Sequence, residues 1–250
     1  MTVVLKLGGS VITDKDEPET VDRAALSDAV SAVAESAVGD DIVVVHGGGS
    51  FGHHHAAEYG VSTTEGTHDV DGVRAIHGAM CRLNAAVVDA LTDAGVPAVP
   101  VHPFSAAARD ADGDLSLPTA QVTTLLGEGF VPVLHGDLVA HAGAGATVLS
   151  GDELVVELAP AVDADRVGVC STVPGVLSED GTVIDRIASF EAVESALGGS
   201  DATDVSGGMA GKVRALLALS VPAAVFGPDA LSAFLAGDTP GTTITGDAAD

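Results

Sequence analysis

The chain has 250 residues with 36 acidic and 10 basic side chains, which gives a formal net charge of −26 at pH 7. A surface this negative repels nucleic acid and anionic lipid, and a hydrophobic content of 46% excludes a disordered chain. Two cysteines make no disulfide framework, and no apolar run is long enough to span a membrane, so we expect a cytoplasmic protein. The scarcity of lysine beside so many acids is typical of salt-adapted proteins, because concentrated salt screens the repulsion between carboxylates.

Strand and helix patterns alternate along the chain. In chain order they are a strand at Val3–Leu7, a helix at Ala24–Val38, a strand at Ile42–Val45, a helix at Val73–Leu91, a strand at Val96–Val101, a helix at Thr119–Leu126, a strand at Phe130–Leu134, a helix at Glu153–Leu158, a strand at Arg166–Cys170, helices at Ser189–Leu197 and Lys212–Leu219, a strand at Ala223–Phe226, a helix at Asp229–Leu235 and a strand at Thr242–Thr245. The Gly143–Ala146 segment predicts a loop or hairpin, and Val176–Ile184 predicts a hairpin. Several strands are apolar on both faces, which predicts an α/β fold with a mainly parallel sheet covered by helices on both sides. No segment has the composition of a linker, so we predict a single domain over residues 1–250.

Glycine-rich turns follow the first two predicted strands, and a third precedes a late helix. They are Gly8-Gly9-Ser10, Gly47–Gly52 and Gly207–Gly211. A turn of this kind exposes backbone N–H groups at the N-terminus of a helix, an arrangement that suits phosphate oxygens. The third turn resembles a P-loop, but Ser206 stands where that motif has its first glycine and Val213 replaces the hydroxyl that binds magnesium.

The segment around Gly47–Gly52 also matches three other motifs. It has the glycine spacing of a dinucleotide-binding turn, His46–Gly49 resembles the oxyanion segment of a lipase, and Ser50 stands in the spacing of a hydrolase nucleophile elbow. A dinucleotide site needs an acid at the end of the next strand, whereas residues 67–71 read as a loop. A hydrolase needs its oxyanion segment and its elbow on separate strand ends, whereas here they share the same residues. A phosphate-binding turn is therefore the favoured interpretation. The alternative that the glycines serve only the backbone geometry of a tight turn stays open.

Lysine occurs at three positions only, and each flanks a glycine-rich turn: Lys6, Lys15 and Lys212. A compact ammonium group on a flexible stem is suited to phosphoryl oxygens. Phosphoryl transfer depends mostly on positioning and on neutralising charge. The arrangement therefore predicts phosphoryl transfer between two phosphate-bearing partners, against the alternative that the three are leftover surface lysines.

These residues resemble the amino acid kinase superfamily, and within it the kinases that act on isopentenyl phosphate in the archaeal mevalonate route. The segments that carry the resemblance are Lys6–Lys15, His46–His53, Ser150-Gly151-Asp152, and Asp204–Met209 with Lys212. The resemblance covers essentially the whole chain. It implies a three-layer αβα sandwich, a substrate-side half at about residues 1–150, a nucleotide-side half at about residues 151–250, and a homodimer.

The resemblance also implies a role for each candidate site residue. Lys6 and Lys212 would hold the transferring phosphoryl group, Asp152 would orient these lysines, and Lys15 would stabilise the transition state. The residues implied to line ATP are Gly8, Gly9, Ser10, Gly49, Thr172 and Gly208, together with Lys6 and Lys212. The residues implied to meet the substrate phosphate are Gly48, His53 and Gly151. Relatives commonly carry Thr-Asp near position 172, where this chain has Thr172-Val173, so the assignment of Thr172 rests on its position.

The implied cofactors are ATP and Mg²⁺ carried on its phosphates, with isopentenyl phosphate as the acceptor. No protein metal site is predicted, because consecutive histidines such as His53–His55 point apart on a helix. The helix Val73–Leu91 is a candidate source of an apolar pocket for the isopentenyl group, through Ile76, Met80 and Leu83, although such side chains are more often plain core. Two alternatives stay open: a superfamily kinase for a phosphonate, carbamate or amino-acid carboxylate, and a non-catalytic nucleotide- or oxyanion-binding protein.

Overall fold

The computed structural model describes residues 1–36, 41–197 and 208–246. These residues form twelve strands in two sheets. The strands are β1 (Thr2–Leu7), β2 (Asp41–His46), β3 (Ala98–Pro100), β4 (Ala108–Arg109), β5 (Leu115–Ser116), β6 (Val131–His135), β7 (Asp137–His141), β8 (Gly145–Leu149), β9 (Arg166–Cys170), β10 (Arg186–Ile187), β11 (Ala223–Phe226) and β12 (Thr242–Ile244). The larger sheet has eight strands in the order β10-β12-β11-β9-β1-β2-β6-β3. Its strand pairs are all parallel except β11–β12, which confirms the predicted mainly parallel sheet.

Helices cover both faces of the larger sheet. In the described part of the chain they are α1 (Gly9–Ile12), α2 (Arg23–Ser36), α3 (Gly49–Glu58), α4 (Val70–Asp93), α5 (Ala120–Gly127), α6 (Gly151–Ala161), α7 (Glu194–Leu197), α8 (Gly208–Leu217) and α9 (Leu231–Leu235). Alternate residues of β1 enter different cores: Leu5 packs with α2, α4 and α9, whereas Val4 packs with α5, α6 and α8. The chain therefore has the α/β architecture in three layers that the resemblance implied.

The smaller sheet has the order β5-β4-β7-β8. Its longest pairing is the antiparallel hairpin of β7 and β8, which agrees with the hairpin alternative for Gly143–Ala146. A small third core, which includes Ile76, Leu138 and Ala146, fills the space between this sheet and helices α3 and α4. This arrangement brings the hairpin close to the carboxyl end of β6, because only Gly136 separates β6 from β7.

Two helix starts follow from capping. Asp22 Oδ1 accepts hydrogen bonds from the backbone N–H groups of Ala24 and Ala25 at 3.1 and 3.0 Å and fixes the start of α2. The predicted end of that helix, at residues 37–39, lies outside the described residues. Asp69 caps α4 by accepting from Asp71 N at 2.9 Å, so this helix begins inside the segment that the sequence suggested was a loop.

Several predicted elements differ in extent from those in the structure, and three of them are informative. The hairpin at Val176–Ile184 reduces to a single antiparallel bridge between Leu177 and Val183. The helix predicted at Ser189–Leu197 is regular only over Glu194–Leu197. Helix α8 begins at Gly208, before the predicted start at Lys212, so its first turn is built from the glycine-rich segment itself. The preceding part of that segment, residues 198–207, lies outside the described residues. None of the described helices is long and apolar enough to cross a membrane.

Candidate active site

A cavity of about 350 Å³ opens at the carboxyl ends of β1, β2, β6 and β9. Parallel strands of an α/β sheet place their carboxyl ends at one edge, where ligand sites of such folds lie. The cavity is lined by every residue implied to act on ATP or on the substrate phosphate except Gly49, namely Lys6, Gly8, Gly9, Ser10, Lys15, Gly48, His53, Gly151, Asp152, Thr172, Gly208 and Lys212. Residues that are far apart in the sequence are therefore brought to one site.

The centre of the cavity holds a carboxylate between two lysines. Lys6 Nζ lies 2.6 Å from Asp152 Oδ1, and Lys212 Nζ lies 3.2 Å from Asp152 Oδ2. The three residues come from different elements: β1, the first turn of α6 and helix α8. The carboxylate therefore fixes the distance between two ammonium groups that would otherwise repel each other.

Burial and charge act in opposite directions on this group of three residues. Removal from water lowers the pKa of Lys6 from its usual 10.5 to about 8, although the attraction of Asp152 partly offsets that effect. Burial alone would raise the pKa of Asp152, but the attraction of Lys6 and Lys212 lowers it to about 2. Asp152 is therefore ionised at neutral pH. Lys6, with a pKa of about 8, begins to lose its proton slightly above neutral pH.

Helix α6 is anchored at the end that carries Asp152. Ser150 Oγ accepts from Glu153 N at 3.2 Å, and Glu153 Oε2 accepts from Ser150 N at 2.8 Å. This reciprocal capping box satisfies two backbone donors at the start of the helix. It holds the backbone on both sides of Asp152 and so directs the carboxylate toward the lysines.

The first two glycine turns pack directly against each other. A Cβ atom on Gly9 would lie 2.0 Å from the backbone nitrogen of Gly49, and one on Gly49 would lie 2.1 Å from Thr13 Oγ1. Gly49 also has a φ of +47°, in the left-handed region that favours glycine. Thr13 joins the turns, because its hydroxyl donates to Gly9 O at 2.8 Å and accepts from Ser50 N at 3.0 Å.

Gly49, a residue implied to line ATP, does not line the central cavity. It lies beside a second cavity of about 400 Å³, which Ser10, Lys15 and His53 share with the first. Its close approach to Gly9 accounts for a glycine at this position without a nucleotide. The two exposed groups, Lys15 and His53, stand where both cavities meet.

One end of the central cavity is apolar. Its lining there includes Ile76 and Met80 of α4, Ala56 of α3, and Val148 and Leu149 of β8. Leu83, the third apolar candidate on α4, is fully buried in the core between that helix and the larger sheet and does not line the cavity. Ala56, Val148 and Leu149 were not identified from the sequence, because the smaller sheet that positions the last two was not predicted.

Gly136 and Asp137 also line the cavity and were missed. The signal for them was available, because Gly136 follows β6 just as Gly8 follows β1 and Gly47 follows β2. Asp137 Oδ2 accepts from His77 Nδ1 at 2.8 Å. Burial raises the pKa of Asp137, and the hydrogen bond from His77 limits that rise.

The consecutive histidines take separate positions on α3. His53 lines both cavities, whereas His55 Nε2 lies 2.7 Å from Glu19 Oε1 and its Nδ1 lies 3.3 Å from Glu58 Oε2. Ligand atoms of His54, His55 and Glu58 lie within 4.8 Å of one another. Both ring nitrogens of His55 are thus already paired with carboxylates.

Comparison with known proteins gives consistent results. The model of the amino acid kinase family matches residues 1–222. The chain is 67% identical over 245 residues to an isopentenyl phosphate kinase of Haloferax volcanii, with 98% of this chain and 99% of that protein covered. It is 36% identical to an isopentenyl phosphate kinase of Methanothermobacter thermautotrophicus, with 98% and 99% covered. A solved X-ray structure of isopentenyl phosphate kinase superposes with a TM-score of 0.84 at 31% identity, covering 98% of this chain and 100% of that one.

Proposed function

The chain belongs to the amino acid kinase family, and from this premise we propose that it transfers the terminal phosphoryl group of ATP to isopentenyl phosphate. The products are isopentenyl diphosphate and ADP, and the reaction serves isoprenoid biosynthesis of the archaeal mevalonate type. The relative with 67% identity over nearly the whole chain carries this activity in its name. The similarity to a protein of Haloferax volcanii agrees with the salt-adapted source that the acid excess predicted.

One observation carries the proposal: a single cavity combines paired cations, glycine turns and an apolar end. Lys6 and Lys212 are held around Asp152 at one place, and the glycine turns open beside them. The apolar end, with Ile76 and Met80, offers space for a small hydrocarbon group. A substrate with a phosphate head and a short branched hydrocarbon tail matches both ends.

In the proposed mechanism, Lys6 and Lys212 bind oxygens of the transferring phosphoryl group. Asp152 orients both ammonium groups, so that they are in place before the substrates bind. Charge accumulates on the phosphoryl oxygens in the transition state, and preorganised cations stabilise that charge without further rearrangement. The backbone N–H groups of Gly9 and Gly208 bind phosphate oxygens of ATP, whereas the N–H group of Gly8 already donates to Cys170 O at 2.9 Å, so Gly8 only lines the site. Ser10 and Thr172 complete the nucleotide side.

The acceptor end of the mechanism uses Lys15 and His53. His53, with the backbone at Gly48 and Gly151, binds the phosphate of isopentenyl phosphate, and Lys15 neutralises charge in the transition state. An oxygen of that phosphate attacks the terminal phosphorus of ATP in line with the departing ADP. The attacking oxygen is already anionic at neutral pH, so no strong general base is required.

Mg²⁺ fits this site on the nucleotide and not in a protein cage. The central carboxylate, Asp152, is already paired with two ammonium groups, and Asp137 is hydrogen-bonded to His77. A divalent cation prefers several oxygen ligands, which the phosphates of ATP supply. When bound there, it neutralises phosphate charge.

We also propose a cytoplasmic location, which the cysteine usage favours, and a homodimer, which follows from the family resemblance. In the same way, residues 1–150 form the substrate-side half and residues 151–250 the nucleotide-side half.

A substrate panel tests the function. ADP release in molar KCl is measured with isopentenyl phosphate, dimethylallyl phosphate, fosfomycin, carbamate and N-acetylglutamate. We expect turnover with isopentenyl phosphate to exceed that with the non-phosphate acceptors by at least about a hundredfold, because only a phosphate-bearing acceptor engages His53. A preference for a carboxylate or carbamate would assign the chain to another branch of the family. No ADP release with any acceptor would indicate a binding protein.

Two variants test the assigned roles. Lys15→Ala should lower kcat by roughly a hundredfold or more while the Kd for ATP changes little, because the ammonium group acts on the transition state. His53→Ala should raise the KM for isopentenyl phosphate and leave the KM for ATP nearly unchanged. An unaltered kcat in Lys15→Ala would contradict the mechanism.

A further inference from the structure

We propose that Glu19 is a positioning residue that holds the Lys15 loop, residues 14–20, against helices α3 and α4 and so sets the place of the Lys15 ammonium group. This inference rests on the role proposed for Lys15. The loop leaves α1 and returns to α2, and Lys15 is exposed on it where the two cavities meet. An exposed lysine stem has many rotamers, so its contribution to catalysis depends on how well its backbone is fixed.

The base of the Lys15 loop is closed by backbone contacts. Thr13 and Val21 form an antiparallel bridge, and Asp14 N donates to Thr20 O at 2.9 Å. These contacts join the two ends of the loop to each other. The orientation of the loop toward the cavity therefore depends on its contacts with other elements, which are helices α3 and α4.

Glu19 makes several of those contacts. Its carboxylate accepts from Arg82 Nε at 2.9 Å and from Arg82 Nη2 at 2.8 Å, which is the bidentate geometry of a guanidinium–carboxylate pair. The same carboxylate bonds to His55 Nε2 at 2.7 Å. One side chain of the loop is thus attached to α4 through Arg82 and to α3 through His55.

The backbone conformation of Glu19 indicates that contacts hold this residue in place. Its φ is 51°, a left-handed conformation that residues other than glycine rarely adopt. Its N–H group lies 3.3 Å from Ser50 O, at the start of α3. A chain segment that adopts an unfavourable conformation and makes three polar contacts there is held in place by those contacts.

The elements joined by Glu19 are those that form the acceptor end of the site. Helix α3 also carries His53, and helix α4 also carries Ile76 and Met80. The carboxylate therefore fixes the Lys15 loop relative to the groups proposed to bind the acceptor phosphate and its apolar tail. A shift of the loop would move Lys15 away from the acceptor while leaving the Lys6–Asp152–Lys212 group in place.

The ionic state of Glu19 suits this role. Burial would raise the pKa of its carboxyl, but the hydrogen bonds from His55 and Arg82 lower the pKa below its usual value. The contacts are of hydrogen-bond length, so they act within the Debye length of about 3 Å that applies in molar salt. Because His55 already pairs with Glu19 and Glu58, the same geometry favours an ion-pair network over a metal site at His54, His55 and Glu58.

The test compares Glu19→Gln with Glu17→Gln. Glu17 lies on the same loop and is exposed, so this control removes the same charge without breaking the contacts. We expect Glu19→Gln to lower kcat by about tenfold, with the KM for ATP and the Tm nearly unchanged, because a loop displaced by about 1 Å misplaces Lys15. Glu17→Gln should leave kcat within about twofold of the parent value.

A second pair of variants and a second readout keep the two proposals separable. Arg82→Gln should reproduce the loss in kcat, whereas Arg74→Gln, an exposed arginine on the same helix, should not. The double variant of Glu19 and Arg82 should be no worse than Glu19→Gln alone, because that single variant has already lost the contact with Arg82. Amide hydrogen exchange over residues 14–20 should speed up in Glu19→Gln and stay unchanged in Glu17→Gln.

Contrary outcomes are equally specific. Parent-like kcat and exchange in Glu19→Gln, with Lys15→Ala inactive, would overturn the positioning role and leave the proposed function intact. Full activity in Lys15→Ala would overturn both. If Glu19→Gln loses stability, equal losses in kcat and in ATP binding would indicate a merely structural residue, whereas a loss confined to kcat would support the proposal.

Discussion

Lys6 carries a buried amino group in a protein that has few other basic side chains. Its side chain is 7% exposed, and among the described residues its charged neighbours are Asp152 and Lys212. Desolvation disfavours the ammonium form, and this effect outweighs the attraction of the carboxylate, so the pKa falls to about 8. Phosphate oxygens brought by a nucleotide would act in the opposite direction and favour the ammonium form.

This balance predicts an alkaline limb in the pH dependence of catalysis. As pH rises through about 8, the free enzyme loses the charge on Lys6, so kcat/KM for ATP should fall. The fall in kcat should lie at higher pH, because the bound phosphates raise the pKa of Lys6. Initial rates at several ATP concentrations, between about pH 6 and pH 10, measure the fall in kcat/KM and the fall in kcat separately.

Lys6→Arg is the control for that assignment. A guanidinium stays charged over the whole range, so whatever activity remains should lack the limb near pH 8. An alkaline limb at the same pH in Lys6→Arg would show that another group titrates there.

At the scale of the elements, the site depends on two glycine turns that touch. Thr13 supplies the polar contact between them, and the hydroxyl is buried. The hydroxyl contacts Gly9, which is 4 residues away in the sequence, and Ser50, which is 37 residues away. A substitution at Thr13 should therefore change how α1 packs against α3 more than it changes either helix.

Thr13→Val tests this contact with nearly the same volume. Loss of the hydroxyl leaves Gly9 O and Ser50 N without their partner, and we expect the free energy of unfolding to fall by about 1–3 kcal/mol. The KM for ATP should rise as well, because Gly9 and Ser10 lie on the nucleotide side of the proposed site. Thr13→Ser keeps the hydroxyl and should lose less than about 1 kcal/mol. Denaturant unfolding curves measure the difference, and equal losses in the two variants would argue against a role for the hydroxyl.

At the scale of the whole molecule, the dominant feature is the net charge of −26. The acids are spread over the chain, so at low salt they repel one another across the surface. Raising the ionic strength shortens the Debye length to a few ångströms and removes most of that repulsion. Folding should therefore depend on salt far more than in a protein of balanced charge.

We expect the Tm to rise by roughly 10 °C or more between about 0.2 M and 2 M KCl, because salt relieves the repulsion only in the compact state. Asp28, Asp89 and Asp93 are exposed on α2 and α4, and their replacement by Asn in one triple variant should make the rise smaller. A Tm that is independent of KCl would contradict the electrostatic explanation. Thermal unfolding followed by circular dichroism gives the Tm values.

The sequence by itself determined the site to a large extent. Val3–Leu7 and Ile42–Val45 predicted buried strands, and the glycine turns after them predicted phosphate-binding ends. Because the carboxyl ends of parallel strands meet at one edge of a sheet, local motifs that follow the strands converge without further information. The family resemblance then assigned Lys6, Asp152 and Lys212 to one site before any distance was known.

The tertiary structure decided what depends on packing between distant segments. The two-residue strands β4 and β5 are too short to show an alternation of apolar and polar residues. The smaller sheet was therefore not predictable, nor was the lining of the cavity by Val148 and Leu149. The link from Glu19 to Arg82 joins residues 63 positions apart, and no local pattern marks either of them. Sequence motifs report what the backbone does at a strand end, whereas the side chains that meet across elements are decided only when the helices and sheets pack together.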